Sequence, residues 1–323
     1  MKLLEYIRDG LIEEEHFGII KYLSGNNAIS TGEDNDYPYY LRSCAKPLQA
    51  SLLVDYGISD ELTSEQIAVC CASHTGEDIH LKTIRLILNK YDISEDLLKC
   101  GVQIPLSETS KNNLLLNGKS PEQIHNNCSG KHTMMLLICK KMGWDMKTYD
   151  SINHPLQQAI KTKINELCEV NNDYPVTTDG CGVPIFSMPL VNMLKGYINL
   201  FCDEKYSKIR DAFQHNPYLI GGENRLDTAI MTENSHLISK VGAGGLCIVL
   251  NLEEHAAFIV KISDCDMRAR AVSVIKCLKD LNWIKSETDL IKAQNKTDIL
   301  TLRGEKVGEI KPCFCLNACV TKC

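Results

Sequence analysis

The hydrophobic pattern changes character twice along the chain, and nothing else in the sequence constrains the fold as much. Residues 16–24 (HFGIIKYLS) are rich in β-branched and aromatic side chains, and the polar Gly-Asn-Asn after them predicts a turn into a second strand over 28–31. From Ser43 the spacing becomes helical. Leu48, Leu52, Leu53 and Tyr56 recur at three and four, and Gly57 is a natural stop. Amphipathic helices follow over 64–72, 79–90, 129–142, 155–170, 187–202 and 204–214, separated by Pro- or Gly-rich joints. Near Leu237 the character changes again. Apolar strands are expected over 246–251 and 257–263, then a helix over 265–281, then a hairpin made of DILTLRG and VGEIKP.

Strands at both ends of the chain flanking a helical middle imply an α+β fold. The economical arrangement is one antiparallel sheet built from the N- and C-terminal segments, packed by helices, with a helical lobe over roughly 60–235 inserted between them. We expect a single catalytic domain over 1–312, with its active site in the cleft between the lobes, and a Cys-rich tail over 313–323.

Bulk properties exclude several functions. A net charge of −6 opposes binding to nucleic acid or to an anionic membrane. No apolar run is long enough to span a bilayer. The first residues, MKLLEYIRDG, break their apolar stretch at Glu5, Arg8 and Asp9, so a signal peptide is not expected and the cytoplasm is. In a reducing compartment, 16 cysteines should be free thiols, metal ligands or catalytic groups. Cys70, Cys139, Cys168 and Cys277 fall in helical apolar patterns and read as small core residues. Cys128, Cys181 and the tail cysteines Cys313, Cys315, Cys319 and Cys323 do not.

Five stretches carry groups suited to chemistry. In LRSCAKP, Ser43 and Lys46 stand three apart, on one face of a helix; a desolvated Lys46 can take the Ser43 proton, or Ser43 can simply cap the helix. In ASHTGEDIH, Ser73 has His and acidic neighbours, and it too can be a cap. In HNNCSGKH, Cys128 precedes a helix start with Lys131 and His132 in its first turn, a setting that depresses a thiol pKa and suits a nucleophile or a metal ligand. In TTDGCGVP, Asp179 and Cys181 share a Gly-braced turn, which suits a metal or a charge network as well as an ordinary turn. In ISKVGAGG, Lys240 either projects into the cleft or is a solvated strand end. The paired Cys-x-x-Cys spacing of a four-ligand zinc site is absent.

In order, LRSCAKP, ASHTGE, HNNCSGKH, TDGCGVP, SKVGAGG, SDCDMRARA and KVGEIKP resemble the L-asparaginase II family of the thermolabile, Rhizobium etli inducible type. The resemblance runs from about Leu11 to Pro312. It implies a fold similar to serine β-lactamases and glutaminases, and hydrolysis of L-asparagine to aspartate and ammonia. It also implies two Ser-Lys pairs, Ser43 with Lys46 and Ser73 with Lys240, and on chemical grounds we expect Ser43 to be the nucleophile with Lys46 as its base. A zinc ion would be held by Cys128, Lys131 and Cys181 beside Asp179. Arg42, His132 and Asp179 correspond to substrate-contacting positions, and the assembly would be a homodimer.

The chain departs from the family pattern at Cys44, commonly Ser, and at Gly244, commonly acidic. The first departure is expected to add an oxidisable thiol, the second to remove a charge beside Lys240. The tail has no family counterpart and is expected either to bind a metal or to be an unstructured, oxidisable end. Two other readings remain: a glutaminase or broader amidase using the same groups, and a non-catalytic amino-acid- or zinc-binding relative.

Overall fold

The computed structural model describes residues 1–32 and 36–316. Its strands are β1 (Lys2–Arg8), β2 (Leu11–Ser24), β3 (Asn27–Thr31), β4 (Tyr39–Tyr40), β5 (Val176–Thr178), β6 (Pro184–Met188), β7 (Leu237–Gly242), β8 (Leu246–Asn251), β9 (Ala256–Ile262), β10 (Asp298–Leu300) and β11 (Lys306–Pro312). The main sheet runs β10-β11-β1-β2-β9-β8-β7, with β3 also paired to β2, and every pairing is antiparallel. The chain ends therefore meet inside one sheet, as the α+β reading expects. A small second sheet, β4-β6-β5, lies at the edge of the helical lobe.

The run LCIVLN shows why the sheet is buried on both sides. Leu246, Ile248 and Leu250 join the core of the helical lobe, while Cys247 and Val249 join a second core under the Met267–Asp280 helix. Side chains alternate along a strand, so a continuous apolar run needs a cover on each face. Each buried Leu, Ile or Val contributes about 1.5–3 kcal/mol of transfer free energy.

The helical lobe is organised around the Lys46–Asp55 helix, whose residues from Lys46 to Leu53 are all buried. The Ser64–Cys71 helix beside it starts at a reciprocal cap: Thr63 Oγ1 accepts from Gln66 N (3.3 Å), and Gln66 Oε1 accepts from Thr63 N (3.1 Å). The helix expected over 187–202 is shorter. Ser187 lies in β6, Pro189 then fixes the turn, and the helix is Leu190–Phe201. The segment 204–214 divides into a 3₁₀ turn (Glu204–Tyr206) and a helix (Ser207–His215).

The first residues of the tail are not unstructured. Cys313 N donates to Leu3 O (2.8 Å), and Phe314 and Leu316 are buried in the second core. Cys315 is exposed; Cys319 and Cys323 lie outside the described residues. Among the described residues, no helix is long and apolar enough to cross a membrane.

Candidate active site

The segment that raised the Ser-Lys question is a 3₁₀ turn, Arg42–Ala45, running straight into the helix at Lys46. The helix N-cap is Ala45, with no side-chain cap, so Ser43 caps nothing. Arg42 has a left-handed φ of +48°, unusual for a residue with a side chain and worth about 1–3 kcal/mol of local strain. Three ties hold the turn. Arg42 Nε donates to Asp179 Oδ1 (2.8 Å), Leu41 N donates to Phe186 O (3.0 Å), and Tyr197 Oη donates to Cys44 O (2.8 Å). The Cys44 thiol points inward and donates to Lys240 O (3.3 Å). Its side chain is fully buried, and burial pushes the thiol pKa up to about 12. The expected oxidisable thiol is thus a protected core group.

Lys46 is only 1% exposed, and its ammonium nitrogen is enclosed by acceptors. It donates to Ala72 O (2.6 Å) and Asn127 O (3.1 Å) and lies 3.0 Å from Ser73 Oγ. Carbonyl oxygens only accept. A neutral amine in this position must spend its two N–H bonds on them, and its lone pair then faces the Ser73 hydroxyl. Burial lowers the Lys46 pKa, and the neighbouring Lys131 and Lys240 charges lower it further, against an opposing contribution from Cys128. Ser43 is half-buried, and among the described residues its hydroxyl has no hydrogen bond. The amine is therefore bonded to Ser73 rather than to the serine nearest in sequence.

Lys240 also differs from its expected pairing. It is fully buried on β7 and donates to Asp227 Oδ2 (3.2 Å) and Val241 O (3.0 Å), not to Ser73. Asp227 sits on the Leu226–Glu233 helix, which covers the free edge of β7. Its carboxylate also accepts from Ser239 Oγ (2.8 Å) and Val241 N (3.0 Å). Burial alone would raise its pKa, but Lys240 and these hydrogen bonds outweigh that and hold it below the usual carboxylate range. The acid beside Lys240 is thus Asp227, which sequence reasoning missed. Gly244 is instead in the β7–β8 turn, with a left-handed φ of +74° and open space where a side chain would stand. Only the run RLDT, three residues past a Gly pair, hinted at Asp227.

The two cysteine loops converge. Lys131 Nζ donates to Cys181 Sγ (2.9 Å), Cys128 Sγ donates to Asn127 Oδ1 (3.3 Å) beside them, and Cys181 Sγ approaches Asp179 Oδ2 (3.9 Å). Cys128, Lys131 and Cys181 are at most 5% exposed. Cys181 and the cations Lys46 and Lys131 stabilise the Cys128 thiolate, holding its pKa well below the usual thiol range. Burial would push Lys131 down, but the two sulfurs and Asp179 outweigh it and raise its pKa. Among the described residues no group of three or more His, Cys, Asp and Glu side chains is placed to hold a metal. Two thiols and one amine brought together are nevertheless a donor set that suits zinc once deprotonated.

His132, in the first turn of the Ser129–Met142 helix, is fully buried. Its Nδ1 lies 2.7 Å from Tyr149 Oη, and that hydroxyl oxygen accepts from Lys99 N (3.0 Å). One proton bridges Tyr149 Oη and Nδ1, and the second ring nitrogen, Nε2, is a buried atom with no partner among the described residues. Burial, with the Lys131 and Lys46 charges, keeps the ring neutral. One unspent ring nitrogen thus stands in the turn that carries Lys131.

The sequence model of the L-asparaginase II family matches residues 4–312, nearly the whole chain and every group described above. The chain belongs to the L-asparaginase II family. Membership supports an asparaginase-type amidohydrolase acting on a small-molecule substrate. No curated protein matches the chain. Among solved structures, it is similar to a candidate β-lactamase from Bacteroides dorei DSM 17855, at 13% identity and a TM-score of 0.40, over 76% of this chain and 84% of that one.

Proposed function

We propose that the chain hydrolyses L-asparagine to L-aspartate and ammonia through an acyl-serine, with Lys46 as general base. One observation carries this reading: a buried amine, its pKa lowered, whose lone pair faces a serine hydroxyl. Ser43 Oγ attacks the side-chain amide carbon, and its proton passes through Ser73 to Lys46. The intermediate collapses as the same path returns that proton to the departing nitrogen, which leaves as ammonia. Water then attacks the acyl group. Its proton follows the path to Lys46 and is given back to Ser43 as aspartate is released.

The other groups orient and balance. Lys240, fixed by Asp227, is a stationary positive charge that helps keep Lys46 neutral. Arg42 and Asp179, paired at the mouth of the site, and the unpartnered Nε2 of His132 would contact the polar ends of the substrate. Cys128, Lys131 and Cys181 would hold a zinc ion, which when bound supplies a Lewis-acidic anchor for substrate affinity. Following the family resemblance, we take the working form to be a cytoplasmic homodimer. Light scattering on the purified protein tests the dimer.

The Lys46–Ser73 hydrogen bond favours a second reading, in which Ser73 itself is acylated. Rapid-quench mass spectrometry with L-asparagine separates the two. We expect the acyl adduct on Ser43. An adduct on Ser73 would exchange the roles of the two serines, and turnover with no adduct on either would sink the covalent mechanism. A parallel assay on L-glutamine decides the substrate length.

A further inference from the structure

The charges around Lys240 do not balance. Lys240 and Asp227 are fully buried as a pair. Arg270, 8% exposed, reaches in from the Met267–Asp280 helix, and Arg225 stands at the N-terminus of the Leu226–Glu233 helix, two residues before Asp227. Arg225 lies within electrostatic range of both Asp227 and Arg270. Three cations thus share one carboxylate in a largely buried volume, and buried charge of one sign needs a counter-charge.

The hydrogen-bond inventory points to the same place. Arg270 spends Nη1 on Gly242 O (3.0 Å), but its Nε is buried with no partner. Ser273, fully buried three residues further along the same helix face, also has an unpartnered hydroxyl. The Arg225 side chain makes no hydrogen bond or ion pair among the described residues, whereas Arg42 is committed to Asp179. Buried polar groups in folded proteins are almost always satisfied, so this concentration of idle donors marks the place of an absent acceptor. Water would satisfy the donors but not the charge. The planar fork of a guanidinium matches a carboxylate.

Both serine-bearing segments touch this cluster. Gly242, whose carbonyl Arg270 holds, lies against the Ser43 turn so closely that a Cβ there would be 3.0 Å from Cys44 Sγ. The loop leading to Arg225 accepts Ser73 N at Ile220 O (3.0 Å).

We propose that Arg225 and Arg270 form a subsite for a small carboxylate, occupied in turnover by the α-carboxylate of the substrate. The identity of the occupant rests on the asparaginase reading; the carboxylate chemistry does not. Arg225 is the residue to change first, because it is only partly buried and makes no bond that the fold depends on.

The test measures L-aspartate binding by calorimetry, and KM and kcat for L-asparagine and for its α-carboxamide analogue, on wild type, Arg225→Gln and Arg225→Lys. Arg225→Gln should raise the aspartate Kd and the asparagine KM about tenfold or more, with kcat little changed and Lys partly restoring both. The analogue, lacking the carboxylate, should be turned over equally by all three. A raised aspartate Kd with an unchanged KM would keep the subsite but assign it to a free carboxylate. If wild type binds aspartate through Arg225 yet fails to hydrolyse asparagine, the asparaginase reading fails and the subsite stands. Unchanged Kd and KM in both variants, at an unchanged melting temperature, would overturn the proposal.

Discussion

Lys46 is bonded through space to Ser73, 27 residues away in sequence, and not to Ser43, three residues before it. The 3₁₀ turn brings Ser43 to the start of the helix, while the side chain of Lys46 extends into the helical lobe and meets the loop after the Ser64–Cys71 helix. Base and nearest serine are thus separated by side-chain direction, and the proposed mechanism has the two serines act in series.

Serial action gives a double-mutant signature. Lys46→Met should lower kcat by about 10²–10⁴-fold, the usual contribution of a general base. Ser73→Ala should cost nearly as much, and Lys46→Met with Ser73→Ala no more than either alone. Multiplying losses in the double variant would show that the two groups work independently.

The buried ion pair on β7 predicts an asymmetric stability effect. Asp227→Asn leaves the Lys240 ammonium buried without its counter-charge and should destabilise the fold by about 3–5 kcal/mol. Combining Asp227→Asn with Lys240→Met should recover the part of that loss owed to the stranded Lys240 ammonium in urea denaturation, while Arg225 and Arg270 still lack the carboxylate. A double variant as unstable as the single one would mean that the ion pair is not the source.

His74 and His80 give the fold a defined response to acid. The rings are stacked 5.1 Å apart and fully buried, and burial holds both pKa values below the ordinary histidine range. A depressed folded pKa means that the unfolded chain takes up the protons first. Stability should therefore be level above about pH 6.5 and fall below it, by up to about 1.4 kcal/mol per pH unit for each ring. Urea midpoints between pH 7.5 and 5.5, as chosen test conditions, read this directly, and a midpoint that rises on acidification contradicts the assignment.

Cys44 should be chemically silent. With its pKa near 12, its thiolate fraction at neutral pH is on the order of one in 10⁵. Iodoacetamide on the folded protein should label the exposed Cys265 and leave Cys44 untouched until denaturant is added. Labelling of native Cys44 would mean that the Ser43 turn opens.

The sulfur cluster is open to metal analysis. Purified wild type should carry one zinc per chain by elemental analysis, and Cys181→Ser should lose it. Equal metal content in the two proteins would place any zinc elsewhere.

How far the sequence could be read follows from the range of each interaction. LCIVLN and SGKHTMMLLICKKM were legible as strand and helix because a short apolar run between turn residues and helical periodicity are both local signals. The strand at Lys2–Arg8 was not, because its partners β2 and β11 lie on either side of it and its pattern mixes charge with apolar residues. The convergence of Cys128, Lys131 and Cys181 was implied by the family motifs, and the fold brings these three together. The serine–lysine pairing was not legible, since it depends on which way one buried side chain turns. Asp227 had only the run RLDT to hint at it; its role comes from the helix that covers the edge of β7.

The meeting of both chain ends in one sheet also sets a schedule for synthesis. Gly18 of β2 pairs with Ile262 of β9, a partner that leaves the ribosome roughly 240 residues later. At about 5–20 residues per second, β2 waits some 10–50 s with an open edge while the helical lobe is made. That edge is a template for wrong pairing. Lys240 arrives only with the closing strands, so the nascent protein holds its first serine turn long before it has a working site.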